Sequence, residues 1–229
     1  MIEFDLAEQS IRELNRALHD LDATTNQTSW KVLNPSGEHS VAVGVDAPIT
    51  IEIDGHVGYF CAGMNREAKV VIAGNAGQGV GENMESGMIH VQGDASQSAG
   101  ATGRGGLLIV DGNAAARCGI SMKGVDIVVK GDVGHLSAFM AQTGRLVVFG
   151  DAGEALGDSI YEAQIYVRGS VESLGADCVE KEMRDEHRQQ LGELIAAAGA
   201  AGDVTVDEFK RYGSARKLYS FNIDNAGAY

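Results

Sequence analysis

Two prolines, three cysteines and one tryptophan are all that 229 residues hold of those types, and aromatics make up 6%. So little proline, beside 31 glycines that recur periodically, excludes a disordered low-complexity chain. The cysteines, Cys61, Cys118 and Cys178, form no CxxC pair, which removes the usual spacings for zinc and for an iron–sulfur cluster. Cations are also scarce. Eighteen Lys and Arg against 32 Asp and Glu leave a formal charge of −14, which argues against a nucleic-acid surface. No run of about 18 apolar residues is present, so no membrane-spanning helix is expected. The opening MIEFDLAEQS lacks the basic region and apolar stretch of a secretion signal, so a cytoplasmic location is expected.

What is present is a repeat. Gly55, Gly74, Gly93, Gly112, Gly131, Gly150 and Gly169 follow one another in a constant nineteen-residue step without a slip. Four residues before these anchors stand Ile51, Val70, Ile89, Leu108, Ile127, Leu146 and Ile165. Two before stand Ile53, Ile72, Val91, Val110, Val129, Val148 and Val167. Apolar residues at alternate positions, mostly β-branched, mark a strand with one buried face. Two after the anchor come only Val or Ala, and seven after come only Ala or Gly, so the interior of each unit is expected to be narrow. One after come His56, Asn75, Asp94, Asn113, Asp132, Asp151 and Ser170, types that tolerate a turn or a left-handed backbone. One strand per repeat, a glycine corner and small interior columns read as an all-β solenoid, a parallel β-helix of about seven coils. A leucine-rich repeat would need a Leu-rich pattern and an Asn ladder, and neither is legible.

The flanks read differently. Residues 5–22 carry an apolar stripe, Ile11, Leu14, Leu18 and Leu21, behind an Asp5/Glu8 capping pattern, and so predict a helix over the open first coil or against a partner. Trp30 to Val45 reads as a degenerate entry coil. The solenoid is expected to end near Gly175, with Glu172 in the capping coil. Glu180 to Ala198 is helical by pattern, with Met183, His187, Leu191 and Leu194 on one face. Thr205 and Glu208 predict a second short helix carrying Val206, Phe209 and Tyr212. The ending Tyr219, Phe221, Ile223 alternates like an extended arm that packs on the solenoid or on another subunit. The organisation is thus 1–29 helix and linker, 30–178 β-helix, and 179–229 helices and tail.

Few side chains suggest chemistry. Gly77-Gln78-Gly79-Val80-Gly81 imitates a phosphate loop, but a strand follows soon after where a long helix is needed, so these glycines are solenoid corners. The six histidines fall in different columns with no metal-ligand spacing. Cys61 and Cys118 share a column three coils apart, about 14 Å, too far for a disulfide. The column of Asp94, Asp132 and Asp151 is expected to bond backbone groups rather than a cation. Eleven after the anchor, Arg66, Arg104 and Lys123 share one edge with Glu85, read either as a solvated edge or as a candidate partner-facing strip; Tyr219 and Phe221 in the tail are further partner-facing candidates.

The rhythm Gly74-x-x-Gly77-x-x-x-Gly81, repeated at Gly150, Gly153 and Gly157, resembles the GXGXG domain, the right-handed β-helix that ends the large subunit of glutamate synthase. The resemblance covers about residues 30–180; Ser96, Ala115 and Glu172 depart from it at the second glycine. The opening RELNRALH, at 12–19, and the ending from Ala215-Arg216-Lys217-Leu218-Tyr219 to Asp224-Asn225-Ala226-Gly227-Ala228-Tyr229 resemble the stand-alone form of that domain in glutamate-synthase-like complexes, above all the β-helix subunit of N-methylglutamate synthase. The resemblance implies a structural subunit without catalytic, cofactor or metal residues. Its implied partners are a class II glutamine-amidotransferase-like subunit and a synthase subunit bearing FMN and an iron–sulfur cluster. The complex would convert glutamate and methylamine to N-methylglutamate and ammonia. The alternatives are a β-helix subunit of a formylmethanofuran dehydrogenase or formyltransferase/hydrolase complex, and, in another class, a stand-alone solenoid scaffold or a polysaccharide-acting enzyme.

Overall fold

A computed structural model describes residues 1–216, so the expectations for Tyr219, Phe221 and Ile223 lie outside the described residues. The strands are β1 (Ile2–Asp5), β2 (Ser29–Leu33), β3 (Thr50–Asp54), β4 (Lys69–Ile72), β5 (Met88–Val91), β6 (Leu107–Val110), β7 (Lys123–Val129), β8 (Thr143–Val148), β9 (Gln164–Val167), β10 (Cys178–Lys181) and β11 (Lys210–Ser214). Helix α1 spans Ile11–His19 and α2 spans Asp185–Ala197. Among the described residues the eleven strands form one sheet, in the order β1 to β9, then β11, then β10. From β1 to β9 every pairing is parallel, so the chain is a parallel β-solenoid. From β3 to β9 the register advances by one full repeat per coil, as in Ile51↔Val70 and Leu146↔Ile165, with one irregularity at the start of β7. The entry coil is real but lies outside that register, since Trp30 pairs with Ile51.

Each coil has a second contact line at the residue two after the anchor. Val57, Ala76, Ala95, Ala114, Val133, Ala152 and Val171 form an unbroken series of parallel bridges. Between the two lines the interior is filled by the −4 and −2 columns, all of them buried.

The anchor glycines are not left-handed corners; only Gly55 has a positive φ. They are required by a ladder of side chains in the next column. His56 Nδ1 accepts from the Asn75 N–H at 2.9 Å, Asn75 Oδ1 from Asp94, Asp94 from Asn113, Asn113 from Asp132, Asp132 from Asp151 and Asp151 from Ser170, at 2.6–2.9 Å. None of these residues takes the left-handed backbone that their types allowed. Each acceptor lies where a Cβ on the anchor of the next coil would be: 2.3 Å from Asn113 Oδ1 at Gly131 and 2.1 Å from Asp132 Oδ1 at Gly150. A side-chain ladder therefore exists, in which Asp94, Asp132 and Asp151 bond backbone groups as expected, and His56, Asn75 and Asn113 extend the pattern to the whole column. Its full length is hidden in the sequence because His, Asn, Asp and Ser share the column, so no single letter repeats. Asn113→Ala is expected to cost about 1–2 kcal/mol by leaving the Asp132 N–H without its acceptor, whereas Asn113→Asp is tolerated; urea unfolding of both variants separates the two.

The third side of each coil is a run of turns. Residues five, seven and nine after the anchor are left-handed in six successive coils, as in Phe60, Ala62 and Met64 or Ser98, Gly100 and Thr102. Their N–H groups bond alternately to the coils on either side, Gly100 to Val80 O and Thr102 to Ile120 O. The seventh position is therefore small for two reasons. It is left-handed, and it points into the core, where a Cβ at Gly100 would meet Ile127 Cδ1 at 2.6 Å.

The ends are closed by the flanks. Helix α1 is shorter than its apolar stripe suggested. Its N-cap is Ser10, not Asp5, in a capping box with Glu13, because Ile2–Asp5 pairs with β2 as a strand. Leu14 and Leu18 are fully buried against the first coil, and Asn15 Nδ2 and His19 Nε2 reach Ser40 O and Val43 O. At the other end the chain leaves the solenoid as β10, forms α2, and returns as β11, which lies antiparallel between β9 and β10. The edge of β9 is thus covered by the chain's own return strand. The expected helix after Thr205 is only one 3-10 turn, Val206–Glu208; Tyr212 belongs to β11 and enters the core. The helix expected from Glu180 starts at Asp185, because Cys178–Lys181 is strand.

Helix α2 and the segment after it cover one half of the outer sheet face. Leu191, Leu194, Ile195, Ala198, Val204 and Phe209 pack on Ile109, Val128, Val147, Phe149 and Tyr166. Strands β6 to β9 therefore bury both faces near their ends, unlike β3, which alternates as expected. The signal was in the sequence, three before the anchor: Glu52, Val71 and His90 give way to Ile109, Val128, Val147 and Tyr166. At the start of α2, His187 is 6% exposed, and its Nδ1 accepts from the Arg184 N–H at 3.2 Å. Burial, then Arg211 on β11 and Arg184 before the helix, hold its pKa below the usual value, against Glu186 and Glu182. The neutral ring is the native form, so this contribution is full above about pH 6.5 and is lost as pH falls through that value and below. His187→Gln is expected to flatten the fall of unfolding free energy between about pH 6.5 and 5 by up to one proton's worth of slope, measured by chemical denaturation across that range.

Candidate partner-binding surface

The columns settle where each candidate residue lies. Cys61 and Cys118 are fully buried and unbonded, in one interior column with Val80, Ala99 and Leu156. Burial pushes both thiols up to about 12 and Cys178 to about 11, far from a reactive thiolate. Asp94, Asp132 and Asp151 accept backbone N–H groups in the ladder, and the Ser170 N–H holds the Asp151 carboxyl below its ordinary pKa. Among the described residues no group of three or more His, Cys, Asp and Glu is placed to hold a metal ion.

The glycines of the phosphate-loop look-alike have structural tasks. A Cβ at Gly77 would stand 2.6 Å from the Gly58 carbonyl carbon, so the second glycine lets one coil's backbone lie on the next. Gly79 is left-handed, and a Cβ there would meet the Phe60 ring at 2.7 Å. Gly81 is the inward left-handed position, beside Ile89. Strand β5 follows them, and α2 starts only after the solenoid has ended, so no helix N-terminus faces these amides.

The row eleven after the anchor is a charge ladder rather than a bare basic strip. Arg66 bridges Asp46 at 2.8 Å and Glu85 at 3.0 Å, and Arg104 reaches Glu85 at 4.0 Å. The two acids hold the Arg66 guanidinium still more firmly protonated than usual. These residues border a cleft of about 410 Å³ with Gly44, Met64 and Asn83. Lys123 continues the row one coil further and is exposed. Arg66, Glu85, Arg104 and Lys123 are therefore brought together along one edge. Arg66 is already saturated, and Arg104 and Lys123 carry the excess cation.

Sequence reasoning missed the exposed apolar side chains of the turn wall. Tyr59 stacks on His39 with ring centroids 4.5 Å apart and meets Phe60 edge-on. Tyr59, Phe60, Met64 and Met140 are all exposed. Their signal was the exception each makes in its column, since Phe60 stands where other coils have Gly79, Ser98 and Ala155, and Met64 where they have Asn83, Thr102 and Ser121.

These features define a rigid parallel β-solenoid with its interior sealed at both ends and its distinctive side chains on outer walls. No family model matches the chain. GlxC of Rhizobium meliloti (strain 1021) is 63% identical over 225 residues, which cover 98% of each chain. The chain belongs to the GlxC family.

Proposed function

We propose that this chain is a non-catalytic β-helix subunit of a glutamate-synthase-like heteromeric complex of the cytoplasm, with N-methylglutamate synthase as its particular form. In this reading it holds a class II glutamine-amidotransferase-like subunit against a synthase subunit that carries FMN and an iron–sulfur cluster. Nitrogen from one active site is delivered to chemistry at the other. The observation that supports it is the use made of the glycine motif. Its three columns serve the ladder, the coil-on-coil contact and the inward left-handed turn, so the residues resembling the GXGXG domain make a shape.

The same geometry explains how a rod serves such a complex. Seven coils at about 4.8 Å give a stack about 30 Å long. Its strands, ladder and turn wall are all bonded from coil to coil, so points on it keep fixed separations. Incubated with FMN and passed through a desalting column, the purified chain is expected to retain no stoichiometric flavin and to turn over no glutamate or amine. A yellow chain with one flavin per copy contradicts the reading.

A further inference from the structure

We infer that the turn wall of the solenoid is the docking surface for a protein partner, and that its contacts are two apolar points with a cationic stretch between them. This rests on the subunit reading above and names the surface that reading requires. The turn wall supplies its own control, because successive coils share the same backbone there. Five and nine after the anchor the backbone is left-handed in six successive coils, which disfavours large side chains, and apart from Gly79 these positions are partly or fully exposed. Three coils carry only small or polar residues there, Gly79 and Asn83, Ser98 and Thr102, and Ala155 and Ser159; a fourth has Arg117 and Ser121, large at one position but charged. Two coils place large apolar residues at both positions. The first has Phe60 and Met64, 40% and 53% exposed; the fifth has Leu136 and Met140, the latter 44% exposed. Both pairs break the backbone preference, Phe60, Met64 and Met140 are exposed while Leu136 is half-buried, and none of the four belongs to the buried core.

The pairs lie four coils apart, about 19 Å at the usual strand spacing. A standard protein interface of about 800 Å² per side is a patch roughly 30 Å across, so one partner surface covers both points. Between them, on the adjacent row, stand Glu85, which Arg66 already pairs at 3.0 Å, and then Arg104 and Lys123. Arg104 is 62% exposed with only a 4.0 Å contact to Glu85. A cationic stretch on a chain of net charge −14 calls for carboxylates on the other side. A second copy of this chain is the poorer occupant, because a two-fold contact that matches the two apolar points to each other would set Arg104 against its own image. The occupant is a different protein, with two apolar sockets flanking an acidic patch.

The test uses the full chain co-expressed with the products of the genes beside its own. Phe60→Ser with Met64→Asn, and Leu136→Ser with Met140→Asn, replace each pair by residues the other coils already use, so the fold is expected to keep its melting temperature. Each double variant is expected to bind the partner at least tenfold more weakly, and Arg104→Glu with Lys123→Glu to slow association and remove its salt dependence. Wild-type affinity in either apolar variant, with the fold intact, overturns the proposal. A wild-type chain that dimerises alone and loses the dimer in these variants overturns the partner chemistry and assigns the wall to a second copy. A wild-type chain that never assembles overturns the subunit reading itself, and this surface with it.

Discussion

Gly131→Ala is expected to destabilise the chain by about 3 kcal/mol, the upper end of the range for overpacking a close-packed site, and to lower its melting temperature by roughly 6–12 °C. The added carbon would stand 2.3 Å from Asn113 Oδ1 and 2.8 Å from the Gly112 carbonyl oxygen. The side chain could swing away only by releasing the Asp132 N–H, and the carbonyl belongs to the backbone of the preceding coil. Relief therefore separates two coils in the middle of the rod, where each coil depends on its neighbours. Gly192→Ala is the matched control. It lies within α2, where a Cβ would meet nothing closer than Val206 Cγ1 at 3.7 Å. There the same substitution is expected to stabilise by up to about 1 kcal/mol, because alanine is the better helix former. Thermal and urea unfolding followed by circular dichroism measures both. A Gly131→Ala chain as stable as the parent would mean that the ladder does not hold the coils.

Leu191→Asp is expected to act on the second layer with a larger effect, about 4–5 kcal/mol, since it both empties a core site and buries an unpaired charge. Leu191 is fully buried in the cluster that contains Val128 and Val147. The solenoid beneath has its own core and its own ladder, so the expected outcome is local. Helix α2 lifts from β6 to β9 while the far-ultraviolet strand signal is retained, and the uncovered strip of Ile109, Val128, Val147 and Phe149 binds a hydrophobic dye. Full loss of strand signal would show that the C-terminal layer is required for the solenoid to fold. An unchanged melting curve without dye binding would show that α2 is not docked there in solution.

The solenoid was legible because a stacked unit writes the same demand into the sequence at every turn of the repeat. The −4 and −2 columns, the small columns and the anchors all give the coil and its register. What the columns could not give was the reason for each residue type. The anchor glycine looked like a corner, whereas it is an absence that admits the neighbour's acceptor. The residue after it is a turn former by type; backbone bonding was legible for Asp94, Asp132 and Asp151, but not that the bonded N–H belongs to the next coil. Only the stacked fold puts Asn113 Oδ1 at the position of a missing Cβ on Gly131. The flanks were harder, since each is used once. Ile2–Asp5 is too short to alternate convincingly, and the Thr205–Glu208 capping box, which looks like a helix start, closes a single turn before β11.

For the candidate surface, the row of Arg66, Arg104 and Lys123 was found by spacing. Asp46, which neutralises Arg66, was not, because it lies in the entry coil outside the regular register. The apolar exceptions Phe60, Met64, Leu136 and Met140 were visible as letters. Their meaning needed the left-handed backbone, which the sequence shows only where glycine occupies it.

Isolating the tagged chain from cells that express it with its neighbouring genes, followed by mass measurement of the intact assembly and its absorption spectrum, puts the scaffold reading at risk in one step. The expected result is a defined heteromeric complex. It holds an amidotransferase-like subunit and a flavin- and iron–sulfur-bearing subunit, and removing this chain separates those two. A lone chain of 24.0 kDa that carries flavin or activity by itself would contradict it.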